Sequence, residues 1–448
     1  MKGERRLMNE QRLLCLLNKA KLSAEDTSEA IDLMKKVQDW DSFWNLADLN
    51  ACSILTQDHF KRLQNQARAS TSNTLCDNTR NLRPYEDVNR ALLALHEAGI
   101  RVILLKGVLL GECVYEHPLY KKMNDWDLLI AKDQILQSTA ILETLNFQKV
   151  GDVFGKHEFS DANHHLSPYL SQDGTCVLSL HWKICSPWSR FTPKEAEYFA
   201  DLLPIRLKGG ASAWMMQWEY NLLHLCIHMP FLKLGIRELA DVSNLILHRD
   251  KLFDWNLFFI KTREWQAQAA VYRVLTLASK VIEFPFPQSE LAVLRKHCSR
   301  FQLADTDKRS SDLNLVLRSR SDLIGRIERG FLLFRLSKNY TERRRALAAQ
   351  WRLFLFPPSY EIDRIFLNEP SLRNWRFRNL RQRILAPLRI WQVMAKDFGH
   401  RGLLLMTLAN LCDFAKASLS LPFAKKHESF FQQARFRDIK DMAKRYAI

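Results

Sequence analysis

The chain has 448 residues, of which 66 are Lys or Arg and 49 are Asp or Glu, and this gives a formal net charge of +17. Hydrophobic residues make up 47% of the chain, and Gly and Pro number only 14 each, so a disordered, collagen-like or linker-dominated protein is excluded. The charge is unevenly spread: residues 331–448 hold 23 basic and 9 acidic side chains, a net charge of +14, which leaves +3 for residues 1–330. The basic character therefore belongs to the C-terminal quarter.

The cysteine content and the length of the apolar runs indicate the cellular compartment of the protein. The nine cysteines are odd in number and scattered, without a Cys-x-x-Cys pair, which argues against a disulfide framework or a zinc ribbon and favours a reducing compartment. Charged residues interrupt the first 17 residues, where a signal peptide would be apolar, and the nearest approach to a membrane span, 402–423, contains Asp413 and Lys416. We expect a soluble, cytoplasmic protein.

Hydrophobic periodicity predicts helices in the first 98 residues, with a polar bend at 68–81. Gly99 ends the last of these helices, and strand and helix patterns then alternate: strands at 100–105, 125–130 and 147–150, helices at 108–115 and 133–145, and a hairpin of 165–170 and 175–183. Helical periodicity returns from about 195 to 289, and the remaining residues are also predicted to be helical.

These patterns predict an α+β fold, in which a small mixed-sheet unit is embedded in a mainly helical chain. We divide the chain into an N-terminal helical region (1–89), an α+β domain (90–190), a helical domain (191–330) and a basic, Arg-rich helical C-terminal region (331–448).

The most informative pattern spans the first two predicted strands. Lys106 and Gly107 follow the first strand, and Asp125 and Asp127 begin the second, eighteen residues after Gly107. Side chains two residues apart on a strand share a face, and two such carboxylates repel each other unless a cation lies between them. Mg²⁺ binds one or two protein carboxylates together with substrate phosphates, and a Lys-Gly turn at a helix start favours phosphate. The pattern predicts a metal and nucleotide site; the alternative is a solvated strand end or helix-capping residues.

Further motifs follow in order along the chain. They are ILLKG (103–107), Tyr115-x-x-Pro118, DWDLL (125–129), His164-His165, LSLHW (178–182), NLLHLCIH (221–228), IRELADVSNLI (236–246) and Asp254-Trp255. Together with the strand order, this set resembles the uncharacterised bacterial nucleotidyltransferase family, within the superfamily that has the DNA polymerase beta-like catalytic fold. The resemblance covers about residues 38–260, and it implies that 90–190 is a nucleotidyltransferase-like catalytic domain.

The resemblance also implies a reaction and a set of site residues. Asp125 and Asp127 would hold Mg²⁺ or Mn²⁺ against the triphosphate of an NTP, and a nucleoside monophosphate would pass to an unknown acceptor hydroxyl or phosphate. The residues expected to contact the nucleotide are Lys106, Gly107, His165 and Arg237. The superfamily usually has Gly-Ser where this chain has Lys106-Gly107.

A third carboxylate of the superfamily is replaced here by Ser179, two residues before His181. Serine is neither an anionic ligand nor a general base near pH 7, so Glu158, His165 or His181 is expected to substitute. We favour His181 as the third catalytic residue because it shares a strand face with Ser179. Two alternatives are a weakened or inactive relative that binds nucleotide or nucleic acid, and a phosphotransferase acting on a biosynthetic intermediate.

Several residues outside this pattern allow more than one interpretation. His224 and His228 could share a zinc ion, be satisfied inside the helical domain, or line a cleft, and Arg237 with Asp241 has the spacing of a helix salt bridge. The basic run 373–383 with its two interleaved aromatic residues suits RNA, single-stranded DNA or an anionic membrane, or else a basic helix that packs on the domain. The acceptor could be a small molecule, peptide, glycan or RNA.

Overall fold

The computed structural model describes residues 2–68, 79–121, 123, 125–150, 163–185, 191–232, 235–283, 286, 288–298, 300–311 and 316. The chain divides into two units, Met1–Arg318 with Gln432–Ile448 and Ser319–Phe431, and every described residue belongs to the first. Glu158 and the basic run 373–383 lie outside the described residues, so their roles stay predictions. Among the described residues, no helix is both long and apolar enough to cross a membrane.

The first hundred residues are helical, as predicted. The five helices are α1 (Lys2–Leu16), α2 (Ala24–Met34), α3 (Trp40–Leu49), α4 (Ser53–Arg68) and α5 (Thr79–Glu97). Helix α2 begins with a capping box, in which the Ser23 side chain accepts from the Asp26 N–H and Asp26 accepts from the Ser23 N–H. Helix α5 ends two residues before Gly99, whose φ of +74° is the left-handed conformation that glycine tolerates.

One mixed sheet forms the centre of the α+β part. Its strands are β1 (Ile103–Leu104), β2 (Trp126–Leu129), β3 (Gln148–Lys149), β4 (Tyr169–Leu170), β5 (Val177–His181), β6 (Leu203–Arg206) and β7 (Ser212–Met215), in the order β3-β4-β5-β2-β1-β7-β6. Strand β2 pairs in parallel with β5 and antiparallel with β1. Every residue of β2 and β5 is buried, so any polar side chain on them needs an internal partner. The α+β prediction is confirmed.

Strands β6 and β7 correct the prediction of helical structure from residue 195 onward. They form an antiparallel hairpin, and β7 adds to the sheet in parallel with β1. Both strands are only four residues long and alternate in burial, too short a pattern to distinguish from its helical surroundings. Pro204 is tolerated because β6 is an edge strand, and Gly210 takes a φ of +92° in the turn.

Helices surround the sheet and continue the chain. Those within the α+β part are α6 (Lys106–Cys113), α7 (Ile135–Thr144) and α8 (Glu195–Ala200), followed by α9 (Trp218–Leu232), α10 (Ile236–Arg249), α11 (Trp255–Glu264), α12 (Gln268–Val281), α13 (Gln288–Arg295) and α14 (Arg300–Ser311). Helix α9 is buried along most of its described length, including Glu219, Asn221 and His224. Polar residues on such a helix point to an internal function, either structural or chemical.

Candidate active site

The ends of three strands bring the predicted site residues together. Leu105, which follows β1, donates its N–H to the carbonyl oxygen of Asp127 on β2 at 3.1 Å, and Lys106 then begins α6. The parallel pairing of β2 and β5 sets Asp127 opposite Ser179, with His181 two residues further along β5. The sequence-based prediction that these side chains share one face of the sheet is consistent with this register.

Asp127 is the centre of a buried cluster of polar side chains. The residue is 8% exposed, and its two carboxylate oxygens have different partners. The Lys106 Nζ lies 3.1 Å from Oδ2, and the His181 Nε2 lies 2.8 Å from Oδ1. Hydrogen bonds and ion pairs are stronger in such a water-poor setting, so the carboxylate is held in one orientation from both sides.

Two more histidines lie against His181. The ring centroid of His164 is 4.2 Å from that of His165 and 5.7 Å from that of His181, and the centroids of His165 and His181 are 5.1 Å apart. The chain makes an isolated bridge at His165 and no regular strand there, and the rings of both adjacent histidines contact His181.

The buried histidines are held in the neutral form. Burial, Lys106 and His165 lower the pKa of His181 well below its usual range. Burial and the neighbouring histidines do the same for the pKa of His164. Burial, Lys106 and His181 lower the pKa of His224 to about 3. Because the His181 ring is neutral, its Nε2 carries the hydrogen that it donates to the Asp127 carboxylate.

These lowered pKa values predict that stability falls in acid. Below about pH 6.5 the histidines of the unfolded chain become protonated, whereas the buried histidines of the folded chain resist protonation. The stability contributed by each buried histidine is therefore full above its pKa in the unfolded chain and decreases as the pH falls toward its pKa in the folded chain. Each such histidine contributes a slope of about 1.4 kcal/mol per pH unit. Urea unfolding of the wild type and His224→Leu between about pH 7 and pH 4 should show a shallower slope for the variant.

A matched control is His96→Gln, because His96 is exposed on helix α5. This variant should keep the slope of the wild type. Equal slopes for the wild type and His224→Leu would contradict the assignment of a buried, neutral His224.

The turn between β1 and α6 has a left-handed backbone conformation at Lys106, a residue with a side chain, whose φ is +51°. A Cβ at Gly107 would lie 3.3 Å from the Cγ of Met123 and 3.8 Å from the Cε of Lys121, so Gly107 makes room for these two side chains. Left-handed conformations in residues other than glycine are strained and cluster at functional sites.

Two polar atoms beside the cluster have no hydrogen-bond partner among the described residues. They are the Oγ of Ser179 and the Nε2 of His224, and both residues are 1% exposed. Ser179 lies directly across from Asp127, at the position predicted for the missing carboxylate. His224, on helix α9, is close enough to Lys106 and Asp127 for both to influence its charge. Buried polar atoms without partners are uncommon in folded proteins and mark places where water or ligand atoms bind.

The structure gives Asp241 different partners from those its spacing suggested. Tyr115 donates its hydroxyl to Asp241 Oδ1 at 2.7 Å, and the Lys121 ammonium pairs with Oδ2. Arg237 donates to Glu238 at 2.7 Å. The predicted salt bridge between Arg237 and Asp241 is therefore replaced by pairs with other residues. Sequence analysis missed Lys121 altogether, and only its position shortly after the Tyr-x-x-Pro motif could have singled it out.

The carboxylate oxygens of Asp125 and Asp127 are donor atoms of the kind that Mg²⁺ prefers. Asp125 is half-buried and immediately precedes β2, so both predicted carboxylates lie at the start of that strand. Each oxygen of Asp127 uses one hydrogen-bond partner and keeps a further lone pair. Mg²⁺ binds through one or two carboxylates and takes its other ligands from water and phosphate, so the two carboxylates fit one ion.

A second ion finds weaker support in the described residues. Ser179 is neutral, and no group of three or more His, Cys, Asp or Glu side chains in the described part of the chain is arranged to hold a metal. The ring centroids of His224 and His228 are 6.1 Å apart, and no third His, Cys, Asp or Glu among the described residues joins them in a metal-binding group.

The chain was compared with known proteins at three levels. A family model described as "uncharacterised nucleotidyltransferase" matches residues 36–283, which is more than half of the chain and includes the whole Asp127 cluster. No curated protein and no solved structure matches the chain. With the sheet, the paired strands and the family motifs in agreement, the chain belongs to this uncharacterised nucleotidyltransferase family.

Proposed function

We propose that this protein is a Mg²⁺-dependent nucleotidyltransferase that transfers a nucleoside monophosphate from an NTP to an acceptor. The observation that carries the proposal is the buried Asp127 carboxylate, held by Lys106 and His181 within the segment that the family model matches. A buried carboxylate held in one orientation is suited to a cation and the phosphates that come with it.

Each site residue has a role in the proposal. Asp125 and Asp127 would hold one Mg²⁺ or Mn²⁺, which when bound would polarise the triphosphate and neutralise the charge on the leaving group. Lys106 and Gly107, at the start of α6, would face the phosphates. The acceptor oxygen bonds to the α-phosphorus as the bond to the bridging oxygen breaks, pyrophosphate leaves with that electron pair, and the acceptor proton passes to a nearby base.

The roles of three further residues are proposed with the contacts they make. His181 would position Asp127, since its Nε2 hydrogen is already committed to that carboxylate. His165 contacts the His181 ring and donates its Nδ1 hydrogen to the Leu166 carbonyl at 2.8 Å, and from this position beside the Asp127 cluster it would contact the nucleotide. Arg237 donates to Glu238 and is close enough to Lys121 to influence its charge, and because Lys121 borders Gly107, Arg237 would reach the nucleotide from that side.

Ser179 favours a second candidate function. Because a neutral, buried hydroxyl stands where the superfamily has a carboxylate, the chain could bind nucleotide or nucleic acid with weak turnover or none. A phosphotransferase acting on a biosynthetic intermediate is a further candidate, and it differs in which phosphorus is attacked. The proposal also includes a cytoplasmic location and contact of residues 331–448 with nucleic acid or an anionic membrane. The acceptor would be a small molecule, peptide, glycan or RNA.

The Ser179→Asp substitution distinguishes the enzyme from the non-catalytic binder. A new carboxylate beside Asp127 repels it in the absence of a cation, so Ser179→Asp should melt at a lower temperature than the wild type in EDTA and recover with Mg²⁺. For a weakened enzyme, pyrophosphate release should rise by about tenfold or more. Ser179→Asn is the matched neutral control and should show neither effect. No turnover in either form, with NTP binding that ignores Mg²⁺, would support the binder.

The direct test of the proposed function measures both products. The purified chain is incubated with each NTP, with Mg²⁺ or with EDTA, and pyrophosphate is quantified together with the mass of candidate acceptors. Mg²⁺-dependent pyrophosphate with an acceptor heavier by a nucleoside monophosphate is the expected result. An acceptor heavier by a single phosphate would identify a phosphotransferase, and neither product with any NTP would contradict both.

A further inference from the structure

Lys106 combines two features that a structural lysine does not need. Its backbone has a φ of +51°, and its side chain is only 15% exposed with the ammonium 3.1 Å from Asp127 Oδ2. The hydrogen bond from the Leu105 N–H to the Asp127 carbonyl holds the chain next to the strand at this point. A strained backbone that delivers a buried ammonium to a carboxylate indicates that the position of this charge is important.

The charge of the Asp127 carboxylate is balanced without a metal ion. Asp127 contributes one negative charge, Lys106 contributes one positive charge, and His181 hydrogen-bonds the other oxygen. A divalent ion at the same carboxylate would add two positive charges a few ångströms from the ammonium. Because such repulsion is strong in a buried setting, the ion and Lys106 compete for Asp127.

A nucleotide changes this competition. Its triphosphate supplies several negative charges at once, so the ammonium gains a new partner when it leaves Asp127. Lys106 is the first residue of α6, where unpaired backbone N–H groups also favour phosphate. An ion that arrives with a nucleotide therefore meets much less repulsion than an ion alone.

We propose that Lys106 occupies the cation position of Asp127 in the nucleotide-free protein and transfers to the phosphates when a divalent ion arrives with the nucleotide. The inference rests on the proposed function, because it takes Asp127 as a ligand of that ion. The consequence is that ion and nucleotide bind cooperatively, and each raises the affinity of the other by the same factor.

The test measures Mn²⁺ binding by electron paramagnetic resonance of the free ion, so it does not depend on turnover. The nucleotide probe is the α,β-methylene analogue of ATP, which cannot release pyrophosphate. After subtraction of the Mn²⁺ that the analogue chelates in a matched protein-free solution, the wild type should bind Mn²⁺ at least about tenfold more tightly with the analogue than without it. Lys106→Met should bind Mn²⁺ alone at least about tenfold more tightly than the wild type, and the analogue should raise its Mn²⁺ affinity by a smaller factor than in the wild type, because only the phosphate ligands are then gained.

Two variants control for charge and location. Lys106→Arg keeps the positive charge and should bind Mn²⁺ alone as weakly as the wild type. Lys183→Met removes a lysine that lies two residues after His181 but pairs with Glu195 at 3.5 Å, and it should change Mn²⁺ affinity by less than about twofold. Circular dichroism melts establish that each variant is folded before Mn²⁺ is added.

The outcomes separate this inference from the proposed function. If Lys106→Met binds Mn²⁺ no better than the wild type, while Lys106→Met/Asp127→Asn loses Mn²⁺, Asp127 is a ligand but the competition is refuted. If both variants bind Mn²⁺ equally, Asp127 is not a ligand, and the inference and the metal assignment fail together. Independent binding of Mn²⁺ and analogue by the wild type would also refute the inference.

Discussion

Asp127→Asn should lower Mg²⁺-dependent pyrophosphate release by at least about 100-fold, and Asp125→Asn/Asp127→Asn should abolish it. Asparagine keeps the size of the side chain but removes the charge that would hold the ion. It also leaves the His181 hydrogen with a neutral acceptor and the Lys106 ammonium without its counter-ion. The measurement is initial-rate pyrophosphate release at saturating NTP, over a series of Mg²⁺ concentrations.

Loss of folding must be separated from loss of chemistry in that experiment. Asp127→Asn buries an uncompensated ammonium, so we expect some destabilisation, which Lys106→Met/Asp127→Asn should relieve without restoring activity. Asp133→Asn is the matched control, because Asp133 is exposed in the short helix Lys132–Gln134 that follows β2. Retention of wild-type turnover by the Asp125→Asn/Asp127→Asn double variant would refute the metal assignment.

Asp241→Ala should reduce the free energy of unfolding by about 3–5 kcal/mol, the largest stability effect that we expect from a single substitution. Asp241 accepts from the Tyr115 hydroxyl and pairs with the Lys121 ammonium, whose side chain is 6% exposed. Burial lowers the pKa of Lys121, so its charge depends on Asp241. Without the carboxylate, Lys121 is buried either as an unpaired ammonium or as a neutral amine. Both states reduce the free energy of unfolding. Urea unfolding followed by tryptophan fluorescence measures the loss.

A double substitution tests the physical reason. Lys121→Met/Asp241→Leu removes both charges and fills similar volumes, so it should recover most of the lost stability. Asp48→Ala, at an exposed position of helix α3, should change stability by less than about 0.5 kcal/mol. If the double variant is as unstable as Asp241→Ala, the buried charge of Lys121 is not the cause.

Local sequence patterns predicted most of the sheet but not all of it. Strands β1 to β5 were anticipated, because β-branched and apolar runs bounded by turn residues are visible over a few positions. Strands β6 and β7 were missed because they form a short hairpin at the edge of the sheet. Their pairing with β1 is a tertiary contact, which periodicity along the chain does not report.

The candidate active site was also predicted only in part. Alternation along β2 and β5, with the family motifs, anticipated that Asp127, Ser179 and His181 would lie together. The pairing of Lys106 with Asp127 was not anticipated, because it depends on a left-handed backbone conformation at a residue other than glycine, which no local sequence pattern marks. The partnership of Tyr115 and Asp241 joins residues 126 positions apart, and no local pattern marks such a pair. The roles of Asp125, His165 and Arg237 toward a nucleotide stay predictions.

The parallel pairing of β2 with β5 also bears on how the protein folds. Asp127 meets Lys106 across 21 positions of sequence and His181 across 54, so neither partner is available when β2 first forms. Until β5 docks, the carboxylate remains hydrated, and burying it earlier would carry a large desolvation penalty. We therefore expect closure of the sheet and dehydration of the candidate active site to be one event, so a chain that has not completed this step lacks the site.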